Sequence, residues 1–340
     1  MDFNYSEDQS MFIASCERLV RERCSFESRR EVARSSADAV PPLWPEFARL
    51  GLTALLVPES AGGLGRPLID AVLVAQTLGR GWLLEPFVDC ALAAAAALAR
   101  SPQGAERDAA LAGIAEGRSI VVPLAEAEVA GGAFSGIASH GSYADAALFL
   151  DDSRLWLLPL AGARRSGWRQ FDGSAAARIE ASFSDATVVA DGDVAASAWR
   201  MARDVGRLGR IAEGVGLART VLDITAEYLR TRRQFGQPIG RFQALAHRMA
   251  DLAIRHEQMQ SLLWAAAMKL DAADGGRALD AAQVMAHRAL RMIGQETIQL
   301  HGGIGMTDEY AVSHYVKRLL AIEIELGDVD TALARFAAAA

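Results

Sequence analysis

The sequence predicts a mainly α protein with one small β domain set in mid-chain. Three stretches of different texture predict it. Residues 1–117 carry apolar side chains at helical spacing with short breaks. Residues 118–195 hold short β-prone runs divided by Gly, Ser, Asp and Pro. From 196 to 340 helical spacing returns, interrupted by a single proline, Pro238. A chain of 340 residues with 51% hydrophobic and 23% charged content is an ordinary globular composition with room for two or three domains.

Taken in order, SEDQSMFIASCERLVRER (6–23) opens on a capping Ser6 and repeats apolar residues on one face. Pro41-Pro42 introduce a short helix, LWPEFARLG, that ends at Gly51. VPESAGGLGRP (57–67) is a loop by its Pro and Gly content. Its GGLG has no preceding strand and no GxGxxG spacing, so it is a turn and not a nucleotide loop. IDAVLVAQTLGR, DCALAAAAALAR and ERDAALAGIAEG follow as helices. SIVVPLAEAEV, ADAALFLDD, RLWLLPL, ARIEASF and ATVVADG are the expected strands. Long helical segments near 200–232, 241–273 and 276–300 imply packed antiparallel helices.

Composition narrows the function classes. The alanine-rich run 90–99 is too short to span a bilayer, and the N-terminus lacks the basic and apolar regions of a secretory signal. Cys16, Cys24 and Cys90 have no metal-ligand spacing and leave one thiol over in any disulfide scheme, so no metal and a cytoplasmic location are expected. A net charge of −7 argues against nucleic acid as the main partner.

Two stretches could carry chemistry. In RTRRQFGQPIGRFQ (230–243) a helix C-terminus bearing Arg230, Arg232 and Arg233 stops at Gly236 and turns at Pro238 before restarting at Phe242. Those arginines either offset the helix dipole or fork onto a pyrophosphate, with Gln234 and Phe235 beside it. QLHGG (299–303) ends a helix in two glycines. It is either a plain C-cap or a place where a ligand approaches the backbone, with Gln299 and His301 on its polar edges.

Together with LWPEFARLGLTALLVPESAGGLG, VGLARTVLDITAEYLRTRRQFGQPIGRFQALAHRMADL and QLHGGIGMTDEY, these residues resemble the acyl-CoA dehydrogenase family over most of the chain. The resemblance implies that family's fold: an N-terminal helical domain (1–117), a central β domain (118–195) and a C-terminal four-helix bundle (196–340). It implies FAD as cofactor and an acyl-CoA thioester as substrate, dehydrogenated between its α and β carbons. Electron-transfer flavoprotein is the acceptor it implies. Arg232 and Gln234 then match contacts to the FAD diphosphate, with Phe235 beside them. Phe242 and Gln243 match further flavin contacts, and Gln299, Leu300, His301, Gly302 and Gly303 match the stretch at the adenosine end. In the family these contacts reach the neighbouring subunit's FAD, so an oligomer of at least two chains is implied. Asp204 and Arg207 match the D-x-x-R that lies along the acyl-CoA.

The family pattern breaks at its catalytic acid. Relatives carry Tyr-Glu-Gly-Thr after the GG-x-G helix, and that tetrad falls on Glu325-Leu326-Gly327-Asp328. The alternative seat, one residue before the arginine of D-x-x-R, is Gly206. Glu325 is the candidate substitute, one residue from the usual seat. Glu213 lies about 10 Å further along the helix from Gly206, and its i,i+3 spacing to Arg210 reads as an ion pair. Glu323 is expected on a solvated helix face. The Thr-Glu-Pro and Gly-Ser-Asp stretches of full-length relatives are also missing; VVPLAEAEVAGGAFSG (121–136) stands there instead. With the short β domain and SHYVKRL (313–319), the chain resembles the base-lacking short subunit of bacterial heteromeric, steroid side-chain type acyl-CoA dehydrogenases. There it would pair with a longer homologue, as an α2β2 assembly. The alternatives are a self-sufficient homomer using Glu325 and a flavin-free acyl-CoA-binding or scaffold protein.

Overall fold

The computed structural model describes residues 5–124 and 126–338. In chain order the elements are α1 (Glu7–Arg23), α2 (Phe26–Arg34), α3 (Trp44–Arg49) and α4 (Leu68–Gly79). A π-helical stretch, Phe87–Ala94, runs into α5 (Ala95–Arg100), followed by α6 (Ala105–Ala115). Strands β1 (Val121–Pro123), β2 (Ala127–Ala130), β3 (Ala133–Ser139), β4 (Ala146–Asp151), β5 (Arg154–Pro159), β6 (Arg164–Arg169), β7 (Ala175–Ser182) and β8 (Thr187–Asp191) come next. Then follow α7 (Gly192–Thr231), the two-residue strands β9 (Arg233–Gln234) and β10 (Gln237–Pro238), α8 (Gln243–Lys269), α9 (Gly275–His301), α10 (Ala311–Glu325) and α11 (Val329–Ala338). The fold is mainly α with a small β domain, as the sequence predicts. Among the described residues no helix is long and apolar enough to cross a membrane.

These elements form two compact units. One gathers the chain up to Phe26, Val72–Leu83 and the chain from Arg210 onward; the other holds Glu27–Ala71 and Leu84–Gly209. In the first unit, α9 packs against α8, α10 and α11. The end of α4 joins them because two glycines let backbones touch. A Cβ at Gly79 would stand 2.4 Å from the Glu213 carbonyl oxygen, and one at Gly216 1.9 Å from that of Gln76. Gln76 then donates to Gln260 (2.9 Å) and accepts from Trp264 (3.0 Å), which fastens α4 to α8. At the start of α1 Ser6 and Gln9 form the reciprocal cap, with Gln9 N–H donating to Ser6 Oγ (3.2 Å) and Ser6 N–H to Gln9 Oε1 (3.0 Å).

In the second unit the strands make two four-stranded sheets, ordered β1-β4-β5-β8 and β2-β3-β7-β6. All pairings are antiparallel except β1 with β4. Phe134 of β3 and Phe149 of β4 meet across them with ring centroids 4.9 Å apart. The sequence reading misses β3 and β6. AFSGIAS and RRSGWR carry few β-branched residues and include glycine and serine, and their strand character comes from pairing with β7 on either side. It also takes SIVVPLAEAEV as one run, which holds β1 and most of β2, and Gly131 and Gly132, both at positive φ, turn β2 into β3. The alanine-rich helix is π-helical over Phe87–Ala94, which the sequence reading does not distinguish, because an alanine run carries no side-chain signal to separate one helix type from another. Val88 and Leu92 of that stretch press on α7 at Gly209, where a Cβ would stand 2.7 Å from Val88 Cγ1.

The same unit buries an ion pair. Arg29 of α2 grips Glu85 with both guanidinium arms (3.0 and 2.8 Å), and both side chains are shielded from solvent. Arg29→Met therefore leaves a buried carboxylate without its cation. A loss of about 3–5 kcal/mol is expected in chemical denaturation, and a loss below about 1 kcal/mol, the scale of an exposed pair, contradicts this account.

Candidate functional site

The two chemistry-bearing stretches lie in the first unit, and the structure brings them together. α7 ends at Thr231, so Arg232 and Arg233 stand beyond it and not on its last turn. The chain then makes a hairpin, with Gln237 paired to Gln234 and Pro238 to Arg233. The turn is at Phe235-Gly236 (φ 51° and 79°), not at Pro238, which sits in the second strand. Two successive positive φ values define the turn type that matches strand twist, and glycine supplies only one of them. Phe235 is thus held in a conformation unusual for a bulky residue, with its ring 90% exposed and edge-on to Phe242 (6.0 Å). Arg232, Gln234 and Gln243 are exposed around it, and Phe242 is half-buried.

α9 delivers the second stretch. Gln299, Gly302 and Gly303 are exposed, and a Cβ on either glycine would meet nothing within 4 Å. Leu300 and His301 turn inward instead. The Tyr228 ring stacks on His301 (4.5 Å between centroids), and Tyr228 Oη donates to the His301 carbonyl (3.3 Å). Arg232 N–H donates to the Tyr228 carbonyl (2.8 Å), which ties the hairpin to this contact. The result is one surface patch carrying a guanidinium, carboxamides, an exposed aromatic ring and bare glycine backbone.

The expected acid seat looks different. Leu326 caps the C-terminal end of α10 and is buried, and its carbonyl accepts from Gln283 Nε2 (2.6 Å). Glu325 beside it is 21% exposed at its side chain and held by two guanidinium groups. Arg210 Nε reaches Glu325 Oε2 at 2.5 Å and Arg318 Nη1 reaches Oε1 at 2.8 Å. Arg318 also clamps Glu213 with both arms (2.6 and 2.9 Å). The anticipated Arg210–Glu213 pair exists only as a long contact of 3.8 Å, secondary to that clamp. Burial pushes the Glu213 carboxyl up from its ordinary range, opposed by the adjacent Arg318 and Arg210. Arg318 is the residue that reading the sequence passes over; its i,i+7 relation to Glu325 puts both on one face of α10. Glu323 does not lie on a solvated face. It is buried and takes Arg291 at 2.5 Å, because the α9 surface covers that side of α10.

In the second unit Asp204 and Arg207 pair with each other on α7 (3.2 Å), both partly exposed. Gly206 is backed by Ala93, whose Cβ would lie 3.6 Å from a Cβ at 206.

Two sequence families account for most of the chain. Residues 6–118 match "Acyl-CoA dehydrogenase, N-terminal domain" and residues 198–340 match "Acyl-CoA dehydrogenase, C-terminal domain". The chain belongs to the acyl-CoA dehydrogenase family. It is thus a member of a family of FAD-dependent oxidoreductases acting on acyl-CoA. It is 28% identical over 314 residues to the acyl-CoA dehydrogenase IpdE2 of Mycolicibacterium smegmatis, covering 92% of each chain. Its fold is similar to the ChsE4-ChsE5 complex from Mycobacterium tuberculosis (TM-score 0.88, 25% identity, 99% and 98% of the two chains). It is also similar to the Tcur3481-Tcur3483 steroid ACAD G363A variant (TM-score 0.86, 26% identity, 98% and 97%).

The patch fits the family cofactor by the chemistry of its donors. Arg232 offers a fork for a diphosphate, Gln234 and Gln299 offer amide donors and acceptors, and Phe235 an open ring face. Gly302 and Gly303 have the free space a close-lying ligand needs.

The seat generates a prediction about stability. Arg318→Met strips Glu213 of its clamp and costs about 3–5 kcal/mol. A carboxyl whose folded pKa lies above its unfolded value contributes stability below the unfolded value, about 4.3, and loses it as pH rises through the folded value. Stability of the variant in urea titrations is therefore lower well above that unfolded value than below it, and adding Glu213→Gln flattens the difference. A single variant equally stable on both sides of that value contradicts the assignment.

Proposed function

We propose that this chain is the partner subunit of a heteromeric acyl-CoA dehydrogenase, one that completes an FAD site but brings no catalytic base of its own. The observation that carries the proposal is the acid seat. Leu326 cannot take a proton, Gly206 has no side chain, and the neighbouring Glu325 is spent on Arg210 and Arg318. α,β-Dehydrogenation removes a proton from the carbon next to the thioester, and the base must come within about 2.6–3.2 Å of it or act through one water. The chemistry FAD supplies when bound is acceptance of a hydride from the β-carbon.

The role left to this chain is to bind and orient. Arg232 and Gln234 hold the diphosphate, Phe235, Phe242 and Gln243 flank it, and the Gln299–Gly303 turn receives the adenosine end, all on the cofactor of a longer, base-bearing homologue. Asp204 and Arg207 lie along the acyl-CoA. The similarity to a two-component complex and to a steroid ACAD supports both the pairing and a bulky acyl group of steroid side-chain type. Electron-transfer flavoprotein is the acceptor in this reading, and the cytoplasm its location.

The visible spectrum of the protein purified alone, and again with its longer homologue, tests this. A colourless or faintly yellow chain that becomes a yellow, active complex is expected, with Glu325→Gln leaving turnover per folded complex unchanged and Arg232→Ala stripping flavin. A chain that is yellow and oxidises acyl-CoA by itself, losing that activity in Glu325→Gln, would instead be a self-sufficient homomer. One that stays colourless even with its homologue would be an acyl-CoA-binding or scaffold protein.

A further inference from the structure

We infer that Tyr228 and His301 are positioning residues of the flavin half-site, a ring pair that fixes the Arg232 hairpin against the Gly302-Gly303 turn. This rests on the flavin reading proposed above. The groups offered to a ligand come from two segments about seventy residues apart, and their side chains are long and exposed. A diphosphate fork and a glycine turn can serve one cofactor only if their backbones keep a fixed separation. The contact that sets it is the Tyr228–His301 stack (4.5 Å, rings 27° apart), reinforced by the bond from Tyr228 Oη to the His301 carbonyl.

Each ring is rigidly coupled to the segment it serves. The Tyr228 carbonyl accepts from Arg232 N–H, so the tyrosine and the first residue of the hairpin share one turn. His301 is the last residue of α9, directly before Gly302, whose φ of 66° and ψ of −146° only glycine adopts readily. Its imidazole cannot drift. Nδ1 lies 2.8 Å from the Thr297 carbonyl and must carry the hydrogen there, and the Tyr310 ring lies tilted beside it (5.3 Å between centroids). That leaves Nε2 with a lone pair and no hydrogen-bond partner among the described residues. Burial lowers the His301 pKa, so the ring is neutral near pH 7 and the contact is an aromatic stack without a second cation beside Arg232. His301 is only 4% exposed, so it acts on a ligand through Gly302 and Gly303 and not by touching it.

The test is FAD affinity of the apo complex with its longer homologue, followed by quenching of flavin fluorescence, beside the melting temperature of the same apo samples. Tyr228→Leu and His301→Leu each remove a stack worth about 1 kcal/mol, so each weakens FAD about five- to tenfold. Tyr228→Phe keeps the ring and stays within about threefold. The double variant loses no more than the worse single one, because the two rings act as one unit. A wild-type complex that takes up no FAD overturns the flavin reading and this inference with it. A wild-type complex that binds FAD while both leucine variants bind it equally well, or while their losses simply add, overturns the inference alone.

Discussion

Arg318 holds two carboxylates at once, Glu213 from α7 and Glu325 from the end of its own helix, and the architecture of the acid seat follows from that double clamp. A guanidinium in the interior must be matched by anions, since an unpaired buried charge costs several kcal/mol. Glu213 supplies one and needs Arg318 in turn, because burial opposes its ionisation. Glu325 then takes Arg210 as well as Arg318, so that two acids and two arginines face one another. With those pairs made, the last turn of α10 is fixed to α7. The carboxylate nearest the family's catalytic position is engaged with cations on both oxygens.

The opposite condition holds at the far ends of α7 and α9. Here the polar side chains face outward, Phe235 stands in solvent, and two glycines expose bare backbone. An exposed aromatic ring held at positive φ is costly to keep and packs on little within its own chain, apart from the edge of Phe242. One chain therefore combines a closed acid seat with an open binding patch. Both properties are what the partner-subunit role proposed above asks of this chain.

Much of this was legible beforehand. Helical spacing located the long helices, because a buried stripe repeats every three to four residues whatever it packs on. The Gly, Arg and Gln residues of the patch were legible as a family pattern, and Leu326 was reached by counting from Gly302. What escaped were elements without a periodic apolar signal. β6, RRSGWR, is a strand because β7 offers it hydrogen bonds. The Phe235-Gly236 turn was concealed by Pro238, a stronger turn former that ended up in a strand. Glu323 looked solvated for want of any sign that α9 covers it.

By itself the sequence determined the family, the order of helical, β and helical blocks, and which residues stand at the counted positions 206 and 326. It could do so because those properties depend on local spacing and on which side chain occupies a counted position. Only the tertiary structure decided that Glu325 is spent on Arg210 and Arg318, that Glu213 answers chiefly to a residue 105 positions away, and that His301 faces inward. Coulomb pairing and burial act through space, and nothing in the order of residues states which distant charges the fold will bring within 3 Å of one another.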